Sequence, residues 1–153
     1  IGNHAMTPNS RAIAGLFFGL AAAGVPITTS AQPLKSVRWK NRPLLIFAPS
    51  QNHPTLAKQR AVVRQIRSGL VERDMIVVEI VGNSLRTVVG RSPSASAVAF
   101  RRHYGIGSDA FRVILVGKDG GQKLASTKPV SSGRLFGLID SMPMRRDEMR
   151  RRQ

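Results

Sequence analysis

The chain has 153 residues, 42% of them apolar and 5% aromatic, enough for one domain whose core is packed mainly by aliphatic side chains. Lys and Arg number 24 against 8 Asp and Glu, a formal charge of +16 that attracts nucleic acid, anionic lipid headgroups or acidic polysaccharide. There is no cysteine, which excludes disulfides, thiolate metal sites and cysteine nucleophiles.

Ile1–Ala5 has no pattern, precedes a Met, and reads as an expression-vector scar. Met6–Ala31 reads as a signal peptide. Arg11 is its positive start, and Ala12–Gly24 is an uncharged apolar run. Pro26 breaks that run, and Thr29-Ser30-Ala31 puts small residues before a cut at Gln32. The run fits the ~7–15 apolar residues of an export signal and is short of the ~20 needed to span a membrane. The expected destination is a bacterial periplasm or the exterior, with no transmembrane span left after signal removal.

Gln32–Asn41 is a basic lead-in outside the core, with Trp39 embedded in it. Leu44–Ala48 (LLIFA), opened by Arg42-Pro43, is a continuous apolar run that predicts a strand buried on both faces. Asn52 or His53 can cap a helix that starts at Pro54 and runs through Arg73, with Leu56, Val63, Ile66 and Leu70 at helical spacing. Met75–Val81 (MIVVEIV) is the second buried strand, completing a strand–helix–strand unit. Gly82–Arg91 receives no assignment. Ser92-Pro93 or Ser94 caps a second helix through Tyr104, which Gly105 terminates. Phe111–Val116 is a third strand, joined through Asp119-Gly120 to a fourth near Gln122–Ser126. Ser131 caps a last helix carrying Leu135, Phe136, Leu138, Ile139 and Met142, which Pro143 ends. Residues 144–153 (MRRDEMRRRQ) form an Arg-rich C-terminal tail.

This order predicts an α/β fold of the thioredoxin-like type over residues 42–143, a central four-stranded mixed sheet flanked by helices. The segments Arg42–Ser50 (RPLLIFAPS), Phe100–Leu124 and Leu135–Met149 also resemble a bacterial thioredoxin-like family, a P-DUDES-like domain of unknown function. That family is related to a domain of secreted vertebrate matrix proteins and sushi-repeat proteins. The resemblance covers nearly all of Arg42–Met149 and is weakest over Gly82–Ser96. It implies an exported single domain and carries over no catalytic residues.

In thioredoxin-like folds the reactive thiol follows the first strand, where a helix N-terminus stabilises the thiolate. Here that stretch is Pro49-Ser50-Gln51-Asn52-His53-Pro54, which holds oxygen and nitrogen side chains and no sulfur. Disulfide exchange and cysteine-based peroxide reduction are therefore excluded. Ser50, Gln51, Asn52 and His53 remain a candidate loop site, able to hydrogen-bond an anion beside free backbone N–H groups. A Ser50–His53 nucleophile pair lacks an identifiable acidic partner, so no catalytic residue is assigned. Gly105-Ile106-Gly107-Ser108-Asp109-Ala110 has the letters of a dinucleotide fingerprint, but a helix precedes it and a strand follows, the reverse of the required context. No metal cluster and no cofactor are expected.

Candidate anion-binding residues are Lys58, Arg60, Arg64 and Arg67 on the first helix, Arg101 and Arg102 at the end of the second, and Arg145, Arg146, Arg150, Arg151 and Arg152 in the tail. Arg60, Arg64 and Arg67 recur at i, i+4 and i+7 on one polar face. The expected function is a non-catalytic binding module whose partner is a protein or polyanion of the cell envelope. The alternatives are an enzyme using the Ser50–His53 loop and, should the leader be misread, a basic nucleic-acid binder. Few aromatic platforms are available to stack bases, which argues against sequence-specific nucleic-acid recognition.

Overall fold

The computed structural model describes residues 32–153, so the vector scar and the signal peptide expected over 1–31 lie outside the described residues. The two apolar runs form the middle of the sheet: β1 (Arg42–Ala48) and β2 (Met75–Val81) are parallel, in register from Arg42↔Met75 to Ala48↔Val81, and buried at every position. β4 (Arg112–Val116) lies antiparallel on the other side of β1 and carries β5 (Gln122–Ser126) at the edge. Pairing of β1 with β4, from Leu44↔Leu115 to Phe47↔Arg112, makes the predicted first and third strands neighbours.

The sheet has five strands, not the expected four, in the order β3-β2-β1-β4-β5. The unassigned stretch supplies the extra one: β3 (Ser84–Val89) folds back antiparallel onto β2, with Val81 opposite Ser84 across a two-residue Gly82-Asn83 turn. Gly82 takes φ +56 there, a left-handed conformation that glycine adopts at little cost.

Alternation along the strands sends side chains to two cores. Leu44, Ile46, Val77, Val113 and Leu115 pack under Leu56, Val63 and Leu70 of the first helical segment and Leu135 and Ile139 of the fourth helix. Leu45, Phe47, Ile76, Val78 and Ile114 pack on the opposite face against Ala97 and Phe100. The result is a mixed α/β architecture with helices on both faces, compatible with a thioredoxin-like fold.

The first helix is broken in two, α1 (Pro54–Gln65) and α2 (Arg67–Glu72), with Ile66 leaving helical geometry at φ −107, ψ 17. Gly69 lets Phe136 come close at this point; a Cβ added there would sit 2.7 Å from the ring. α3 (Ala97–Tyr104) starts later than expected, because Ser96, not Ser92 or Ser94, supplies the capping hydroxyl, accepting from the Ala99 N–H. Gly105 ends it in the left-handed conformation. α4 (Ser132–Asp140) is capped by Ser131, whose hydroxyl accepts from the Arg134 N–H.

Two further segments differ from expectation. Pro143 does not simply stop a helix; it occupies the first turn of α5 (Pro143–Arg151), which takes up most of the expected tail. The lead-in is also part of the domain. Its turns over 33–40 bury Leu34 and Val37 in the core on the α3 face. Among the described residues no helix is long and apolar enough to cross a membrane.

Candidate functional site

Pro54 fixes the start of α1, and the preceding loop is placed by the end of β1. Ser50, Gln51 and Asn52 are exposed. His53 occupies the N-cap position without a side-chain capping bond; its ring lies flat on Phe111, 5.9 Å between centres at an interplanar angle of 5°. Neither Asn52 nor His53 thus caps through its side chain. Nδ1 of His53 is buried without a protein partner. Gln51 is held by Arg60, whose Nη2 donates to Gln51 Oε1 at 2.6 Å. The loop therefore presents hydroxyl and amide groups and no general base oriented by a carboxylate.

Arg60 is anchored more deeply by Glu79, which lies buried in the middle of β2. Nε and Nη2 of Arg60 donate to the two carboxylate oxygens at 2.9 and 2.7 Å, and Arg86 of β3 adds a third bond at 2.8 Å. Burial pushes the Glu79 carboxyl up, and the hydrogen bonds and charges of Arg60 and Arg86 outweigh this, leaving its pKa lowered. Arg64 and Arg67 follow on the same side of the α1–α2 segment and are exposed. Arg67 donates to the Val88 carbonyl of β3 at 2.9 Å. The structure thus brings together Arg60, Arg64 and Arg67 with Arg86, a residue outside the sequence-based set, along the β3 edge. Lys58, on the same helix, is exposed about 160° around from this row.

Arg101 has a different environment. Its guanidinium donates to the carbonyls of Ala48 (2.9 Å), Gly82 (3.1 Å), Gly107 (2.6 Å) and Ile80 (3.4 Å), tying the ends of β1 and β2 to the loop after α3. Desolvation lowers its pKa, and it takes part in no ion pair among the described residues. Its donors are engaged by backbone carbonyls of the fold, and its charge has no carboxylate partner among the described residues. Arg102 beside it is exposed.

The Arg-rich segment also divides. Arg145 was expected on a surface, yet its side chain is 2% exposed and paired with Glu72 and Asp140. Arg146, Arg150, Arg151 and Arg152 are exposed; Arg150 pairs with Asp147, and Arg152 donates to the Glu72 carbonyl. Arg145 and Glu148 hold α5 against the domain. Glu148 accepts two bonds from the buried Arg42 at 2.9 and 3.1 Å and one from Lys118 at 2.7 Å. Lys118 also reaches Asp74 at 2.8 Å. Burial would raise the Glu148 carboxyl, but Arg42 and Lys118 hold it down at about 2.

Across the described residues, every acid except Asp109 is engaged in an ion pair: Glu72, Asp74, Glu79, Asp119, Asp140, Asp147 and Glu148. The surplus cations at the surface therefore have almost no internal counter-charge. No group of three or more His, Asp or Glu among the described residues is placed to hold a metal ion. Arg42 and Glu79 are the buried charges that this network closes on, and no motif in the sequence marks them. The signal available for Glu79 was a lone carboxylate within the apolar run MIVVEIV, which demands a buried cation.

Residues 33–148 match the family described as Domain of unknown function (DUF4174). The chain is also 32% identical over 130 residues to sushi repeat-containing protein SRPX of Rattus norvegicus and of Homo sapiens, covering 82% of this chain and 28% of each relative. It is 30% identical over 133 residues to coiled-coil domain-containing protein 80 of Danio rerio, covering 76% of this chain and 15% of that protein. The chain thus spans less than a third of the length of these curated relatives.

Proposed function

Because the chain belongs to the DUF4174 family, as its match over 33–148 requires, we propose that it is an exported, cysteine-free thioredoxin-like domain acting as a non-catalytic binding module for an anionic partner of the cell envelope. The observation that carries this reading is the distribution of charge: all acids but Asp109 are engaged in ion pairs, and Arg64 and Arg67, beside Arg60 and Arg86, form a cationic row on the β3 edge. Such a row binds by releasing counterions from a polyanion, so affinity falls steeply with salt. The loop after β1 supports the same view, since at the position of a thiol active site it carries hydroxyl, amide and imidazole groups and no thiol. Bacterial origin rests on the family resemblance and a periplasmic or secreted destination on the Met6–Ala31 leader pattern, and the mature protein is expected to begin at Gln32.

Inorganic polyphosphate of defined length is a suitable probe for the full chain. Binding that weakens at least about tenfold between 50 and 200 mM salt is expected. Salt-independent binding, or sustained turnover of a dithiol or a peroxide by the purified protein, would refute the reading. N-terminal sequencing of the protein from its host tests export separately; an intact Met6–Ala31 segment on the mature protein would remove that part.

A further inference from the structure

A cleft of about 580 Å³ opens between the turns over 33–40, the end of α3 and the turn joining β4 to β5. Leu34, Val37, Pro43 and Val116 contribute an aliphatic lining, and Lys35 and Arg38 stand exposed at its rim. One acid borders the cleft, Asp119, and it is already engaged by Lys123 at 2.8 Å and by the Gly121 N–H at 3.0 Å. Arg38, by contrast, takes part in none of the ion pairs among the described residues. Its side chain lies over Gly120, with Nε 3.3 Å from the place a Cβ would occupy, so glycine at φ +84 gives it room.

The rim is also held in a costly conformation. Trp39 has φ +66, which a bulky residue adopts only where its surroundings impose it. Its N–H donates to the Lys118 carbonyl at 2.6 Å, and Lys118 is itself fixed by Asp74 and Glu148. The indole is left 60% exposed, with the Arg38 guanidinium 5.1 Å from its ring centre. Tyr104 closes another wall; burial pushes its phenol up to about 12, so its hydroxyl stays protonated at neutral pH.

We propose that this cleft binds a small amphiphilic anion, its apolar body against Leu34, Val37, Pro43 and Val116 and its acidic head on Arg38 and Lys35. An aliphatic lining beside two cations without free carboxylates is complementary to such a molecule and to neither a neutral lipid nor a cation. The site lies apart from the Arg64–Arg67 row, so neither proposal depends on the other.

The test uses two dyes that share one aromatic body. 8-Anilinonaphthalene-1-sulfonate carries an acidic head; N-phenyl-1-naphthylamine does not. Trp39 is the chain's single Trp and stands exposed at the rim, so energy transfer from it is strongest for dye in or beside the cleft. The full chain should bind one sulfonate dye with energy transfer, at least about tenfold more tightly than the neutral dye. Arg38→Gln should abolish that preference, and Lys35→Gln should reduce it. Arg64→Gln/Arg67→Gln should leave it unchanged, whatever those substitutions do to polyphosphate binding. Equal affinity for the two dyes, absence of energy transfer, or a preference that survives Arg38→Gln/Lys35→Gln in a protein of unchanged circular dichroism would overturn the proposal.

Discussion

Where β1 begins, Arg42 is buried against Glu148, which also takes Lys118; where β1 ends, Arg101 spans the carbonyls of Ala48, Ile80 and Gly82 with no carboxylate in its bonds. The first arrangement neutralises charge and fastens α5 to the sheet. The second uses the fixed N–H donors of one guanidinium as a brace across strand ends, leaving a positive charge uncompensated. The same residue type is thus spent on cohesion at one end and adds to the protein's field at the other. In a chain with three basic residues for each acidic one, where the acids go decides which cations face a partner.

Removing the acid at the first end should have the largest effect. Glu148→Ala leaves Arg42, 1% exposed, without its counter-ion and should lower stability by about 3 kcal/mol in urea denaturation. A loss below about 1 kcal/mol would mean that solvent reaches Arg42 and that the pair is a surface one. Protonation should reproduce part of this. Glu148 has its pKa lowered from 4.5 to about 2, so its contribution is fully present above pH 4.5 and is lost as pH falls toward 2. Because the carboxylate keeps some contact with water, about 1–2 kcal/mol is the expected size of that loss. Glu148→Ala should flatten this limb of the stability–pH curve. At the second end the effect should be smallest. Arg101→Met keeps much of the packing on Phe47 and removes hydrogen bonds to carbonyls, costing about 1 kcal/mol. Its loss should be the same at pH 3 and pH 7, since no carboxylate answers to it; a strongly pH-dependent loss would show an acid partner there.

The sheet was legible because burial on both faces leaves a compositional trace. LLIFA and MIVVEIV tolerate few other readings, and the serine and glycine caps at Ser131 and Gly105 act through their nearest neighbours. β3 was missed because its residues alternate in burial and include Ser84, Arg86 and Thr87, giving little apolar signal. Gly82-Asn83 was the clue: a two-residue turn of this composition after a strand specifies a hairpin. The ion pairs were not legible for a different reason. Glu148 and Arg42 are 106 residues apart, and nothing local distinguishes Arg145, which is buried, from Arg146, which is exposed. Helical phase could have separated these two neighbours only once α5 was known to pack. The cleft was hidden likewise, since Gln32–Asn41 has too few apolar residues to declare itself part of the core, yet Leu34 and Val37 suffice.

The slope of log affinity for polyphosphate against log salt, measured for the unaltered chain and for Arg64→Gln/Arg67→Gln, tests most directly whether unpaired guanidinium groups are the binding device. If both contact phosphate, the slope should fall in magnitude by about 1.5–2 while stability stays within about 0.5 kcal/mol. An unchanged slope in the folded double variant would contradict the account.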